Sequence, residues 1–163
     1  MVKCLVAILL LCISIVSASV EAGQHNKSTP PIVLEISTDK QSYHIGESVI
    51  LFVKFKNVTD SSVSLPPEFL FEEHFILLTM YKDNTAVPFR NHVARMSTGH
   101  PIDIFLQPGE SYTSKWKLPS QLYNLPNKPG KYRLCAHYKN EWRTFWIGEV
   151  DSECLTLELK ELK

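Results

Sequence analysis

Catalytic signatures are what this sequence most plainly lacks. It contains no Gly-x-Ser-x-Gly elbow, no phosphate loop, no dinucleotide fingerprint and no His-Glu-x-x-His run. His25, His44, His74, His92, His100 and His137 include no two at metal-ligand spacing, although His92 and His100 share one irregular stretch. Glu68 and Glu72-Glu73 read as a solvated acidic loop, because nothing fixes the separation that paired carboxylates need. No enzyme, metal or cofactor is therefore expected. Net charge is also missing: 17 basic residues face 17 acidic ones without a basic cluster. That balance argues against nucleic acid or an anionic membrane as the main partner. A long amphipathic helix and an internal repeat are absent too.

Cysteine is scarce, and its placement is informative. Of four cysteines, Cys4 and Cys12 lie in an apolar run from Cys4 to Ala18 that follows the basic start Met1-Val-Lys3. The run falls short of the ~20 residues of a bilayer span. Val16-Ser17-Ala18 and Val20-Glu21-Ala22 put small residues where signal peptidase cuts. Residues 1–18 are thus expected to be a signal peptide, with no other membrane segment, and the protein to be secreted or periplasmic. Residues 19–31 are polar and end in Pro30-Pro31, which suits a disordered lead-in. The remainder, 32–163, is one domain by length, and a chain of about 140 residues can bury about two-thirds of its unfolded surface.

What the domain does have is alternation. Tyr132, Leu134, Ala136 and Tyr138 take one face of a run that sets Lys131, Arg133, His137 and Lys139 on the other. Leu155, Leu157 and Leu159 repeat the device. Strict period two over both runs means half-buried antiparallel strands, here the last hairpin of a sandwich. Cys135 and Cys154 sit on the polar faces of the two arms, in a compartment that permits disulfides. A bridge between them within one sheet is expected.

Upstream, Ile32–Ser37 and Ser48–Asn57 alternate in the same way, the latter with Val49, Leu51, Val53 and Phe55 on one face. Val63–Leu65 and His74–Lys82 are further strands, and Asp83-Asn84 turns tightly into Ala86–Arg90. Ile102–Leu106 and Ser111–Leu118 flank a Pro108-Gly109 turn, and one helical turn is expected around Gln121–Tyr123. Short strands with proline and glycine turns at this spacing predict an all-β, immunoglobulin-like antiparallel sandwich of about seven or eight strands.

Thr38-Asp39-Lys40 with Tyr43, Gly46-Glu47 and Val49-Ile50-Leu51 resembles the opening of macroglobulin-type immunoglobulin-like domains. Asn57 with Asp60-Ser61-Ser62-Val63, Leu106 to Ser111 and Pro129-Gly130-Lys131-Tyr132 is similar to the bacterial intracellular proteinase inhibitor family. Together these motifs cover most of 32–160. They consist of turn and strand chemistry, so the resemblance implies a fold, and protease binding only through the second family's name. No inhibitory residue of that family is matched here.

The candidate binding surface is the tip of the last hairpin, where Trp142, Arg143, Phe145 and Trp146 crowd into five residues. Aromatics with arginine are the stuff of interface hot spots. Trp146 is the one expected to fold back as an internal plug. Asn26-Lys-Ser and Asn57-Val-Thr fit the glycosylation pattern of a eukaryotic source, although an asparagine entering a turn accounts for Asn57 equally well. The function expected is a non-enzymatic module binding protein or glycan through its loops. A protease inhibitor, or an accessory subunit presenting a sheet edge, are the alternatives.

Overall fold

The structure is a computed structural model that describes residues 30–67, 74–89, 103–119 and 123–162. The expected signal peptide, Asn26, most of the lead-in, Glu68, Glu72, Glu73, His92, His100 and the start of the expected helical turn at Gln121 lie outside those residues.

Among the described residues the chain forms eleven strands and no α-helix: β1 Ile32–Thr38, β2 Ser42–His44, β3 Val49–Asn57, β4 Val63–Leu65, β5 Ile76–Lys82, β6 Thr85–Ala86, β7 Ile104–Leu106, β8 Ser111–Leu118, β9 Gly130–Asn140, β10 Gly148–Asp151 and β11 Leu155–Lys160. The excess over seven or eight comes from short pieces such as β2, β6 and β10, which lack the length to show a period. One sheet has the order β1-β3-β8, a second β2-β11-β9-β5-β6 with β10 also on β9, and a third pairs β4 with β7.

Alternation puts one face of each sheet against the other. Val49, Leu51, Val53 and Phe55 of β3 are fully buried, and they share one core with Tyr132, Leu134, Ala136 and Tyr138 of β9. The Phe55 and Tyr138 rings meet edge to face across the gap, 5.6 Å between centroids. This is the all-β, immunoglobulin-like sandwich that the sequence pattern implies. Leu157 is buried as expected, but Leu155 is only half-buried, because the sheets part at that side.

Cys135 and Cys154 are bonded, their Cα atoms 4.3 Å apart. A bulge brings them together. Asp151 pairs with His137 and Leu155 with Leu134, so three residues of one chain face two of the other. Ser152 closes the break, its N–H donating to the Ala136 carbonyl at 2.8 Å and its Oγ accepting from the Ala136 N–H at 2.9 Å. With the cysteines 19 positions apart in sequence, the entropic gain is on the order of 3 kcal/mol.

Between β1 and β3 the Thr38–Glu47 stretch holds β2, which runs parallel to β11. Tyr43 is the reason. It is buried, donates to Asp39 Oδ1 at 2.6 Å and accepts from the Lys40 N–H at 3.0 Å. Glu47 caps the His44 N–H at 2.9 Å and pairs with Lys40. The Thr38–Glu47 stretch is therefore a crossing device between sheets. The expected Pro108-Gly109 turn lies between β7 and β8, and the two strands take different partners, β7 joining β4 and β8 joining β3. Gly109 has φ +78°, a conformation that would strain any residue with a Cβ. Asp83 and Asn84, at φ 50° and 63°, make the tight turn expected between β5 and β6.

Leu51→Ala and Leu134→Ala should each cost about 2–5 kcal/mol, since both side chains are fully enclosed. Urea unfolding checks this. Midpoints equal to those of the parent protein would place both residues off the core face.

Candidate functional site

β9 keeps its period to its last residue, so Asn140 falls on the inner face and is buried. A buried carboxamide must satisfy both its ends. Its Oδ1 accepts the Trp142 N–H at 2.8 Å, and its Nδ2 donates to the Trp146 carbonyl at 2.7 Å. These two bonds close the 141–147 segment into a fixed loop. The Phe145 N–H donates to the Trp142 carbonyl at 3.3 Å, and the Trp146 N–H fastens the loop to β4 through the Ser64 carbonyl at 2.8 Å. The loop is shorter than the run from Asn140 to Val150, because β10 pairs from Gly148 onward.

The aromatic residues divide between inside and outside. The Trp146 indole is half-buried and lies flat on Tyr138, with centroids 5.4 Å apart and planes within 8°. The indole also rests on Gly148, where an added Cβ would lie 2.6 Å from Trp146 Cζ2. Phe145 is half-buried. Trp142 is 49% exposed, and Arg143 is exposed beside it. Trp142 stands edge-on to Phe75, 4.9 Å between centroids, and tilts over His74 at 5.9 Å. Phe75 in turn touches Tyr138 at 6.3 Å. A chain of rings thus runs from Phe55 in the core to Trp142 at the surface.

His74, Phe75 and Trp142 line a groove of about 230 Å³ whose remaining wall is the Lys139–Glu141 ion pair, 2.8 Å apart. That pair holds the Glu141 carboxyl below, and the Lys139 ammonium above, their ordinary ranges. Burial pushes the Tyr138 phenol up, with the Asn140 carboxamide opposing weakly. Tyr138 Oη has no partner in hydrogen-bond geometry among the described residues.

All four predicted tip residues therefore share one loop, yet only Trp142 and Arg143 are turned fully outward. Ile147, 53% exposed, joins them, and His74 and Phe75 come from a distant part of the chain. None of these three was singled out from the sequence. Asn140 carried a usable signal, a polar residue at an inward register of an otherwise apolar face.

Asn57 holds a second buried carboxamide, at 0% exposure. Nδ2 donates to the Ser61 carbonyl at 2.7 Å and the Leu106 carbonyl at 3.0 Å, while Oδ1 accepts from the Thr59 N–H at 2.9 Å and from Thr59 Oγ1 at 2.8 Å. A glycan on Nδ2 would have to displace one of these bonds inside the protein. In the folded protein Asn57 serves as turn chemistry. Among the described residues no three His, Cys, Asp or Glu side chains converge as a metal site.

No protein-family model matches the chain, and no curated protein matches it either. The fold defines the class, an immunoglobulin-like β-sandwich. Solved structures similar to it include the sporulation control protein Spo0M of Bacillus subtilis, at 14% identity and TM-score 0.46, over 83% of this chain and 51% of that one. Another is the CARDB domain of the PF1109 protein of Pyrococcus furiosus, at 14% identity and TM-score 0.44, over 81% of this chain and 94% of that one. A β-glucosidase of Listeria innocua is a third, at 19% identity and TM-score 0.40, over 78% of this chain but only 16% of the enzyme. Likenesses this distant lend this chain no residue and no activity.

Gly148→Ala should cost about 1–3 kcal/mol by driving Trp146 off its seat. Thermal unfolding together with Trp fluorescence reads the effect, and an unchanged spectrum would contradict the packing. Glycopeptide mapping after expression in a eukaryotic host should find Asn57 bare. A sugar there would mean that the turn is rebuilt.

Proposed function

We infer that this chain is a secreted, non-enzymatic binding module that grips a protein partner with the tip of its β9–β10 hairpin. One observation carries the reading: a half-exposed Trp142 beside Arg143 and Ile147, on a loop closed by a buried asparagine. Large apolar side chains left in water invite aggregation unless they are covered or used. Here they stand on a rigid frame, so covering them costs little further entropy. The tip projects an aliphatic and a guanidinium next to the indole. That mixture suits a pocket in a protein surface better than a sugar ring, which favours a flat aromatic platform with polar flanks.

A second reading draws on the same bracing. A projecting loop fixed on both sides by side-chain and main-chain bonds resists cleavage, as a protease inhibitor must, and the resemblance to the proteinase inhibitor family is consistent with it.

Trp142→Ala combined with Arg143→Ala tests the proposal. The double variant should still unfold cooperatively, having lost only the surface contact of Trp142 with Phe75 and His74, and should lose the proteins that the parent retains from its native extracellular fluid. Retained partners would remove the tip as the binding surface. Binding to a glycan array that depends on Trp142 would transfer the site to sugars. Saturable inhibition of a protease, lost in the same variant, would select the inhibitor reading.

A further inference from the structure

Among the described residues the sandwich is unsealed along one side, where β1 is the terminal strand of its sheet and pairs with β3 alone. The bonds at its two ends reveal which backbone groups face outward. Val58 N–H donates to the Pro31 carbonyl, and Asp39 N–H to the Ile50 carbonyl, which makes 31↔58 and 39↔50 hydrogen-bonded pairs. In an antiparallel ladder such pairs alternate with pairs whose N–H and C=O groups point away. Val33, Glu35 and Ser37 therefore bond to β3, whereas Leu34 and Ile36 offer their N–H and C=O to the free edge. Among the described residues no backbone partner reaches them from elsewhere.

Two open grooves lie along that edge, about 540 Å³ beside Val33–Ile36 and about 760 Å³ beside Ile36–Thr38. They meet at Ile36 and follow β1 for almost its whole length. The opposite wall comes from the other sheet, with Asp151 and Glu153 facing one groove and Leu155 the other. Ile36 and Leu155 are both half-buried, apolar surface that the two sheets leave uncovered between their edges. The unpaired donors and acceptors are those of a missing strand.

Charge selects the occupant. The Val33 end carries Glu35, Asp151 and Glu153; Lys54 pairs with the first at 2.9 Å and His137 with the second at 2.7 Å. Glu153 has no ion-pair partner among the described residues. The other end carries Lys131 and Lys160, with Glu158 bonded to Lys160 at 3.2 Å. A second copy docking about the middle of β1 would set Glu35 against its own equivalent, and like charges directly opposite destabilise a sheet. The geometry points to an extended peptide segment of a partner protein, added as a strand to β1, with lysine or arginine over Asp151 and Glu153 and an apolar side chain over Ile36 and Leu155. This surface is separate from the hairpin tip.

The probe is a fluorescein-labelled, acetylated and amidated peptide, Lys-Thr-Lys-Thr-Val-Thr-Val-Thr, whose lysines and valines share one face of a strand, titrated into the purified protein and read by anisotropy. Saturable binding is expected, weakened about tenfold or more when both lysines become glutamate and weakened likewise by raised salt. N-methylation of alternate residues supplies the geometric control, because on an added strand only one alternate set of amides faces β1. One methylated set should abolish binding and the other should leave it nearly intact. Amide exchange gives a second readout: Leu34 and Ile36 should exchange much faster than Val33 and Glu35 in the free protein, and peptide should slow them selectively. Ile36→Pro removes an outward N–H without touching the β3 ladder, so it should weaken binding about tenfold or more in a protein that still unfolds cooperatively. Trp142→Ala should leave peptide binding unchanged. The inference is overturned by no saturable binding at millimolar peptide, by equal effects of both methylated sets, by indifference to the lysine-to-glutamate swap, or by sedimentation showing that β1 is closed by a second copy.

Discussion

Strand pleat is the constraint from which the rest of this molecule follows. β9 runs for 11 residues without losing its alternation, and each neighbour inherits its faces from it. β5 pairs along one side, and β10 and then β11 along the other. The inward set Tyr132, Leu134, Ala136 and Tyr138 buries against β3, so a slip of one residue would turn four core side chains into water. The disulfide is part of the same constraint, because a bridge on the outer face holds the register without entering the core.

The two most enclosed central strands end alike. β3 terminates in Asn57 and β9 in Asn140, each at an inward position and each buried. Each carboxamide organises the loop that follows, Asn57 through Thr59 and Ser61, Asn140 through Trp142 and Trp146. A lost partner at such a position leaves a buried polar group unmet, at about 1–3 kcal/mol. The fold thus converts regular strand into shaped loop at two places by one device. At one the loop turns the chain toward the β4–β7 pair; at the other it presents Trp142.

Alternation made the sandwich, the buried face of β3 and β9 and the disulfide legible in the sequence, since each depends on period two and on which face a residue occupies. The short strands were not legible. β2 follows from a buried Tyr43 and from its pairing with β11 near the far end of the chain, which no local pattern reports. The separation of β7 from β8 depends on Asn57 reaching Leu106, again across 49 residues. At the tip, residue type identified Trp142 and Arg143, but the backing of Phe75 and His74 arrives from another strand and is invisible to spacing. Leu155 was read as core from its alternation; it is half-buried because alternation assigns a face and says nothing of whether the facing sheet extends that far.

The tip and the open edge meet in β10. Its first residue, Gly148, is the seat of Trp146, and its last, Asp151, faces the groove beside β1. Such an element could relay occupancy from one surface to the other only if it had two arrangements to choose between. Its surroundings deny it that. It is bonded to β9 from Gly148 to Asp151, Ser152 is tied to Ala136 by two hydrogen bonds, and Cys154 is covalently fixed to Cys135 just beyond. A strand pinned at every residue transmits force but not choice. Two partners bound at these surfaces should therefore act additively, each with the affinity it has alone. A chain that holds two ligands at a fixed geometry without coupling them behaves as a rigid adaptor.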